Sequence, residues 1–534
     1  MAEPNGEMLP GTIQMFVQGE SGDLRDQELT LTPPPTNSPN DPLNWSPMRK
    51  YWHATLVLFI TAMTAAIAND AGAASDGMLE ELDISYAVAN TAAGVLFASI
   101  GYWCLLASPM PWLYGRRIQY LICLLFGMIG SIWFARIQNR QDSIWNQMFV
   151  GASESCAEAL AQLSLSDLFF QHQRGTVLGL YILATSIGTF LGPLIAGYIA
   201  IDSWRWVGWT AAIVCGCTFV VCYFGLEETS FHREAILGQH LGGTTVVTLK
   251  DDKKLSGDEL GVRDSSDSGH MGVERKKTYR ERIALITPAP NMIGLGFKQY
   301  VLRLWHTLRI FSFPAVLYSG LQWGAQDAWL TFYLTVEEDN YYDPPWNYSN
   351  QAVAIMNVPT LIGATIGCIY GGWFSDVFVK WMAKRRGGMS EAEDRLWLMY
   401  LSMLINPAGL MLFGIGSEKA WNWPGPYVGL AMIGFGFGTA GDLSMAYLMD
   451  CYPDSVLEGM VGVAVINNTL ACIFTFVTSY WIEASGLANT FIAIGVLSLF
   501  FHSTTIPMMI YGKSCRMWTL QRYKRFLYLR DGER

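Results

Sequence analysis

Twelve apolar runs of about twenty residues each, spaced by short polar loops, constrain this sequence more than any other feature. They lie near 51–76, 86–107, 118–136, 144–169, 175–200 and 206–226, then near 308–335, 350–375, 395–416, 426–450, 459–482 and 487–511. A bilayer core about 30 Å thick needs roughly 20 residues of helix. Lipid leaves no other partner for the backbone of such a segment. The pattern therefore predicts an all-α membrane protein with twelve transmembrane helices in two six-helix halves. Composition agrees, since 51% of the residues are hydrophobic and 15% charged, against about 25% charged in an average soluble chain. The net charge of −10 argues against nucleic acid as a partner. The ten cysteines are scattered through apolar runs, without CxxC or a His cluster at metal spacing, so no metal or cofactor is expected.

The remaining segments set the organisation. Residues 1–48 are polar and Pro-rich, which predicts a disordered N-terminal tail without a cleavable signal peptide. A six-helix half at 49–226 and a second at 304–511 flank a polar loop at 227–303, and 512–534 form a C-terminal tail. Arg49, Lys50, Arg116, Arg117, Arg174, Lys384, Arg385, Arg386 and the basic tail all fall on one side of twelve spans. The opposite loops are acidic, as at Glu80, Glu81 and Asp83 and again at Glu337–Asp339. The positive-inside rule then puts both termini and the long loop in the cytosol. Asn347 stands in an Asn-Tyr-Ser glycosylation sequon on the outer side.

Inside the spans, carboxylates are the anomaly. Glu154 and Glu158 are four residues apart in an apolar segment, so on a helix they share one face, roughly 6 Å apart along the axis. Asp70, Asp327 and Asp442 also fall within or near spans. Acids at membrane depth are costly and mark interior pathways. Each also has a plainer reading, as a hydrogen-bond partner between helices or a site near the wet interface.

Several local sequences resemble the major facilitator superfamily, over nearly the whole chain. After the second span, SPMPWLYGRR matches the right half of the family's loop motif at Gly115, Arg116 and Arg117, with Trp112 where an Asp is expected. The equivalent loop of the second half keeps Gly372, Asp376, Arg385 and Arg386. The fifth span carries Gly188, Gly192, Pro193 and Gly197 in the pattern associated with antiporters. The runs NDPLNWSPMRKYW, WRWVGW and EETSFHRE are similar to fungal drug:proton antiporters, and residues 157–181 to the organic-cation and polyamine branch, in which an acid corresponds to Glu158. Gln147 stands where the family's usual Arg is tied to proton coupling.

The resemblance implies that the first, fourth, seventh and tenth spans line a central cavity, and so that all five acids face it. Trp323 and Trp329 flank Asp327, and Tyr447 follows Asp442, as candidate pocket aromatics. Asn467 and Asn468 add polar groups to the eleventh span. The expectation is a monomeric secondary transporter of the plasma membrane that exports a small organic molecule, such as a drug, toxin or secondary metabolite of cationic or amphipathic character, in exchange for protons. Proton-coupled uptake of organic cations or polyamines, and a non-transporting sensor, are the alternatives. No Walker-type or other enzyme motif stands out, and no cofactor is implied.

Overall fold

The computed structural model describes residues 9–18, 27–29, 31–73, 75–231, 275–290, 292–341 and 344–531. In the first half the spans are Pro47–Ala73, Tyr86–Ala107, Arg116–Ala135, a fourth in two pieces, Arg174–Ile199 and Arg205–Gly225. The fourth runs from Arg140 to Glu158, breaks at Ala159 (φ −140°, ψ −36°), and resumes over Leu160–Leu168. The second half has Pro314–Asn340, a segmented eighth span, Met399–Glu418, Gly425–Cys451, Val456–Ser485 and Leu487–Ser503. The eighth comprises Asn350–Ile355, Asn357–Cys368, a π-helical turn at Ile369–Phe374, and Ser375–Arg385.

Among the described residues, ten helices are long and apolar enough to cross a membrane. The two spans that fall short are the fourth and the seventh. Both bury polar groups in the bundle: Gln147, Ser153, Glu154 and Gln162 in one, Ser319, Gln322, Gln326 and Asp327 in the other. Their low hydropathy marks interior position, because neither presents a continuous face to lipid.

Within the halves the first span packs on the fifth, the seventh on the eleventh and the eighth on the tenth. The halves meet where the second span packs on the eleventh and the fifth on the eighth. Small residues allow these approaches. A Cβ on Gly188 would lie 2.1 Å from the Ala62 carbonyl oxygen, and one on Gly192 2.7 Å from Ala66 Cα. The fifth-span glycine pattern is thus the seam between the first and fifth spans, while Gly197 faces Ala354 of the eighth.

The described parts of the N-terminal tail, read from sequence as disordered, are packed. Thr12–Gln14 pairs antiparallel with Met389–Glu391, and Phe16–Gln18 with Gln27–Leu29. Met15 and Phe16 are buried against Val379 and Ala383. Asp41 caps a short turn by accepting from Leu43 N at 3.0 Å. Polar composition hid this order because the tail builds no core of its own and borrows that of the bundle. The C-terminal segment is likewise a helix, Thr505–Asp531, which runs through the expected boundary at 511. In the long loop, residues 232–274 lie outside the described residues, whereas Thr278 opens a capped turn over Tyr279–Arg282.

Candidate functional site

The structure sorts the five expected acids into three places. Glu154, Glu158 and Asp327 come together: each of the two glutamates lies within electrostatic reach of Asp327, and of the other. Glu154 and Asp327 are buried, and Glu158 Oε2 is buried without a hydrogen-bond partner. Asp327 sits beside Asn467. Tyr181 of the fifth span, fully buried, lies within electrostatic reach of all three carboxylates. Nothing in the linear sequence points to Tyr181, because its span carries no acid and only packing turns it toward the fourth. None of the ion pairs among the described residues includes Glu154, Glu158 or Asp327.

Asp70 is separate. It lines a small void with Gln147, Ser131 and Val150, and its Oδ1 is buried without a partner. The position that would carry an Arg thus sets a neutral amide near this acid. Asp442 belongs to neither group. Both its oxygens are buried without hydrogen-bond partners, and a Cβ added at Gly179, Gly371 or Gly372 would meet Oδ2 at 2.9–3.2 Å, toward the end of the bundle that holds the termini.

The expected aromatic wall is dispersed. Trp323 packs on Phe437 with ring centroids 4.6 Å apart and covers Gly441. Trp329 turns to Phe474 and Phe501. Tyr447 lies edge-on to Tyr318 at 5.7 Å. Helix packing consumes these rings, so they do not form one pocket.

A cavity of about 220 Å³ opens instead at the end opposite the termini. Gly72, Asn90, Gln147, Pro193, Glu337 and Asn357 are among its walls, and none of the five acids is. Glu337 corrects the sequence reading, which left it in an acidic loop. The seventh helix starts at Pro314, with proline at its first position, and extends to Asn340, which carries Glu337 into the bundle at 1% exposure. Asn347 is exposed on the loop that follows.

Residues 54–476 match the model of the Major Facilitator Superfamily. The chain belongs to this superfamily. It is 52% identical to an uncharacterized MFS-type transporter of Schizosaccharomyces pombe, over 99% of this chain and 96% of that one. It is 48% identical to Protein HOL1 of Saccharomyces cerevisiae, over 98% of each. A probable drug/proton antiporter of Saccharomyces cerevisiae, YHK8, is 22% identical over 89% of this chain and 87% of its own length. Among solved structures, the proton:xylose symporter XylE has the same fold, with a TM-score of 0.56 at 13% identity over 86% of this chain and 96% of XylE.

This major facilitator is a membrane transporter and not an enzyme. At the end carrying the termini its two halves are bonded together. Asp376 accepts from Gly175 N at 3.1 Å, Thr176 N at 2.7 Å and Thr176 Oγ1 at 2.7 Å, all across the seam. Arg395 holds Asp376 at 2.9 Å and Asp450 at 2.7 Å, and Asp450 in turn takes Arg174 of the first half at 3.0 Å. The two second-half motif arginines make other contacts: Arg385 lies over Trp381 and Arg386 pairs with Asp394. The arginine that holds Asp376 is Arg395, and its place beyond the motif's span hid it from sequence reasoning.

The first-half motif is held differently. Gly115 has φ +101°, which favours glycine. It lets Glu228 accept from Arg116 N and Arg117 N at 3.0 Å each. With Trp112 in place of the loop aspartate, Arg116 pairs with Asp167 at 2.8 Å and lies over the Trp112 ring.

Proposed function

We propose that this major facilitator carries a small organic cation and exchanges it for protons at the cluster of Glu154, Glu158 and Asp327. The observation that carries the reading is three carboxylates within electrostatic reach of one another, Glu154 and Asp327 buried and Glu158 buried at Oε2, with no cation paired to them among the described residues. Buried anions of one sign are stabilised by taking up protons or a cation. If both compete for one cluster, occupancy by one expels the other. Such exchange makes the two fluxes opposite, and an inward proton gradient then exports the cation. The resemblance to a probable drug/proton antiporter supports export.

The basic residues at the locked end support cytosolic termini, with the cavity facing outward and Asn347 available to glycosylation. A monomer in the plasma membrane suits this arrangement, and so does the division into two six-helix halves, a central loop and two tails. Proton-coupled uptake of organic cations or polyamines is a second reading. It is favoured by the outward cavity with Glu337 in its wall.

Reconstituted vesicles loaded with spermidine or tetraphenylphosphonium, under a pH gradient of either sign, distinguish the two directions. Glu158→Gln should reduce gradient-driven flux by about tenfold or more, since it deletes one competing charge. Undiminished flux in that variant would rule out the cluster as the exchange site.

A further inference from the structure

The outward cavity is lopsided in its chemistry. Glu337 contributes a carboxylate. Asn357 Oδ1 and Gln147 Oε1 are buried without hydrogen-bond partners, on side chains that are themselves 4% and 5% exposed. Several neighbouring donors are already engaged. Thr335 Oγ1 donates to Thr331 O at 2.9 Å and Thr331 Oγ1 to Asp327 O at 3.1 Å. Asn69 Nδ2 donates to Ala65 O at 2.8 Å, and Asn90 Nδ2 to Ser479 Oγ at 3.0 Å. Among the described residues no Lys, Arg or His lines the cavity. The wall therefore offers one carboxylate and two unpartnered acceptors, with no basic side chain among the described residues to offset the charge. An anion finds no counter-charge there, whereas a cation bearing N–H groups meets both the carboxylate and the open acceptors.

We propose that Glu337, with Asn357 and Gln147, forms an outer binding site for the ammonium or guanidinium group of an organic cation, separate from the central cluster. Ten residues of helix separate Glu337 from Asp327, about 15 Å at 1.5 Å per residue. A small cation therefore meets the two sites in succession. The proposal rests on the cationic-cargo reading for its place on the transport path, but the site itself follows from the cavity's own chemistry.

The test uses full-length protein in nanodiscs with Asn357→Cys, and with Ser479→Cys as a second reporter in the same cavity. Each is labelled with the trimethylammonium-ethyl and the sulfonatoethyl methanethiosulfonates, with the wild-type chain setting the background. The cationic reagent should react faster than the anionic one by roughly tenfold more than it does with free cysteine. Adding Glu337→Gln should return the ratio to the free-cysteine value. n-Butylammonium should slow labelling at position 479 in the wild-type background more than tetramethylammonium, which has no N–H donor. A charge ratio insensitive to Glu337→Gln, or equal protection by the two amines, overturns the site. If Glu158→Gln leaves proton-driven flux intact while the Glu337-dependent ratio persists, the central exchange reading falls and the outer site stands.

Discussion

Replacing Asp376 by Asn should unlock the end of the bundle that carries the termini. Asp376 is 3% exposed at its side chain and takes three hydrogen bonds across the seam, from Gly175 N, Thr176 N and Thr176 Oγ1. Its pair with Arg395 lies within one half and survives opening, so only the three seam bonds bear on the equilibrium. Hydrogen bonds to a charged acceptor contribute about 1.5–3 kcal/mol each, neutral ones about 1 kcal/mol. Asn loses the charge and its one acceptor oxygen keeps at most two neutral bonds, so about 4.5–9 kcal/mol falls to about 2, a loss of about 2.5–7 kcal/mol from the locked state. Even the lower figure shifts the ratio of locked to open protein by roughly 70-fold. Spin labels on exposed Gln173, where the fifth span begins, and exposed Lys384, where the eighth ends, report the separation by double electron–electron resonance. The wild type should give a single short distance, and Asp376→Asn a second, longer population. An unchanged distribution in a folded variant would show that the seam bonds do not hold this end closed.

Two further perturbations probe packing and the tails. Gly188→Val forces a side chain against the Ala62 carbonyl, 2.1 Å from the new Cβ. It should cost about 1–3 kcal/mol as overpacking does, read as a lower Tm in detergent; an unaltered Tm would mean that the first and fifth spans have slack. Arg516 is paired with Glu393 at 2.5 Å, both nearly buried, and also donates to Pro10 O at 2.5 Å. Arg516→Ala should cost about 3–5 kcal/mol at that pair and speed amide exchange along Thr12–Gln14 more than tenfold, while retained protection would place the strand's anchor elsewhere.

Much of the architecture is legible without coordinates because lipid enforces it. A run of about twenty apolar residues has no alternative to a spanning helix. The expectation of twelve spans in two halves follows from hydropathy, and Gly115, Asp376 and the fifth-span glycines are picked out by their resemblance to the superfamily's motifs. Glu154 and Glu158 are visible as a pair because four residues on one helix are always neighbours.

What lies between helices is not encoded in any such local rule. An acid within an apolar span points Asp327 to the interior, but the rotation of the seventh span relative to the fourth decides that it meets Glu154 and Glu158. The same rotations send Asp70 toward Gln147 and Asp442 against the glycines of the fifth and eighth spans. Tyr181 and Arg395 reach their sites only through contacts between segments distant in sequence. Glu337 moved from loop to cavity wall because a helix ends where its packing ends, some residues beyond the last apolar run. The apolar runs determine how many times this chain crosses the bilayer. Side-chain interdigitation across the seams decides which of its few charges stand together.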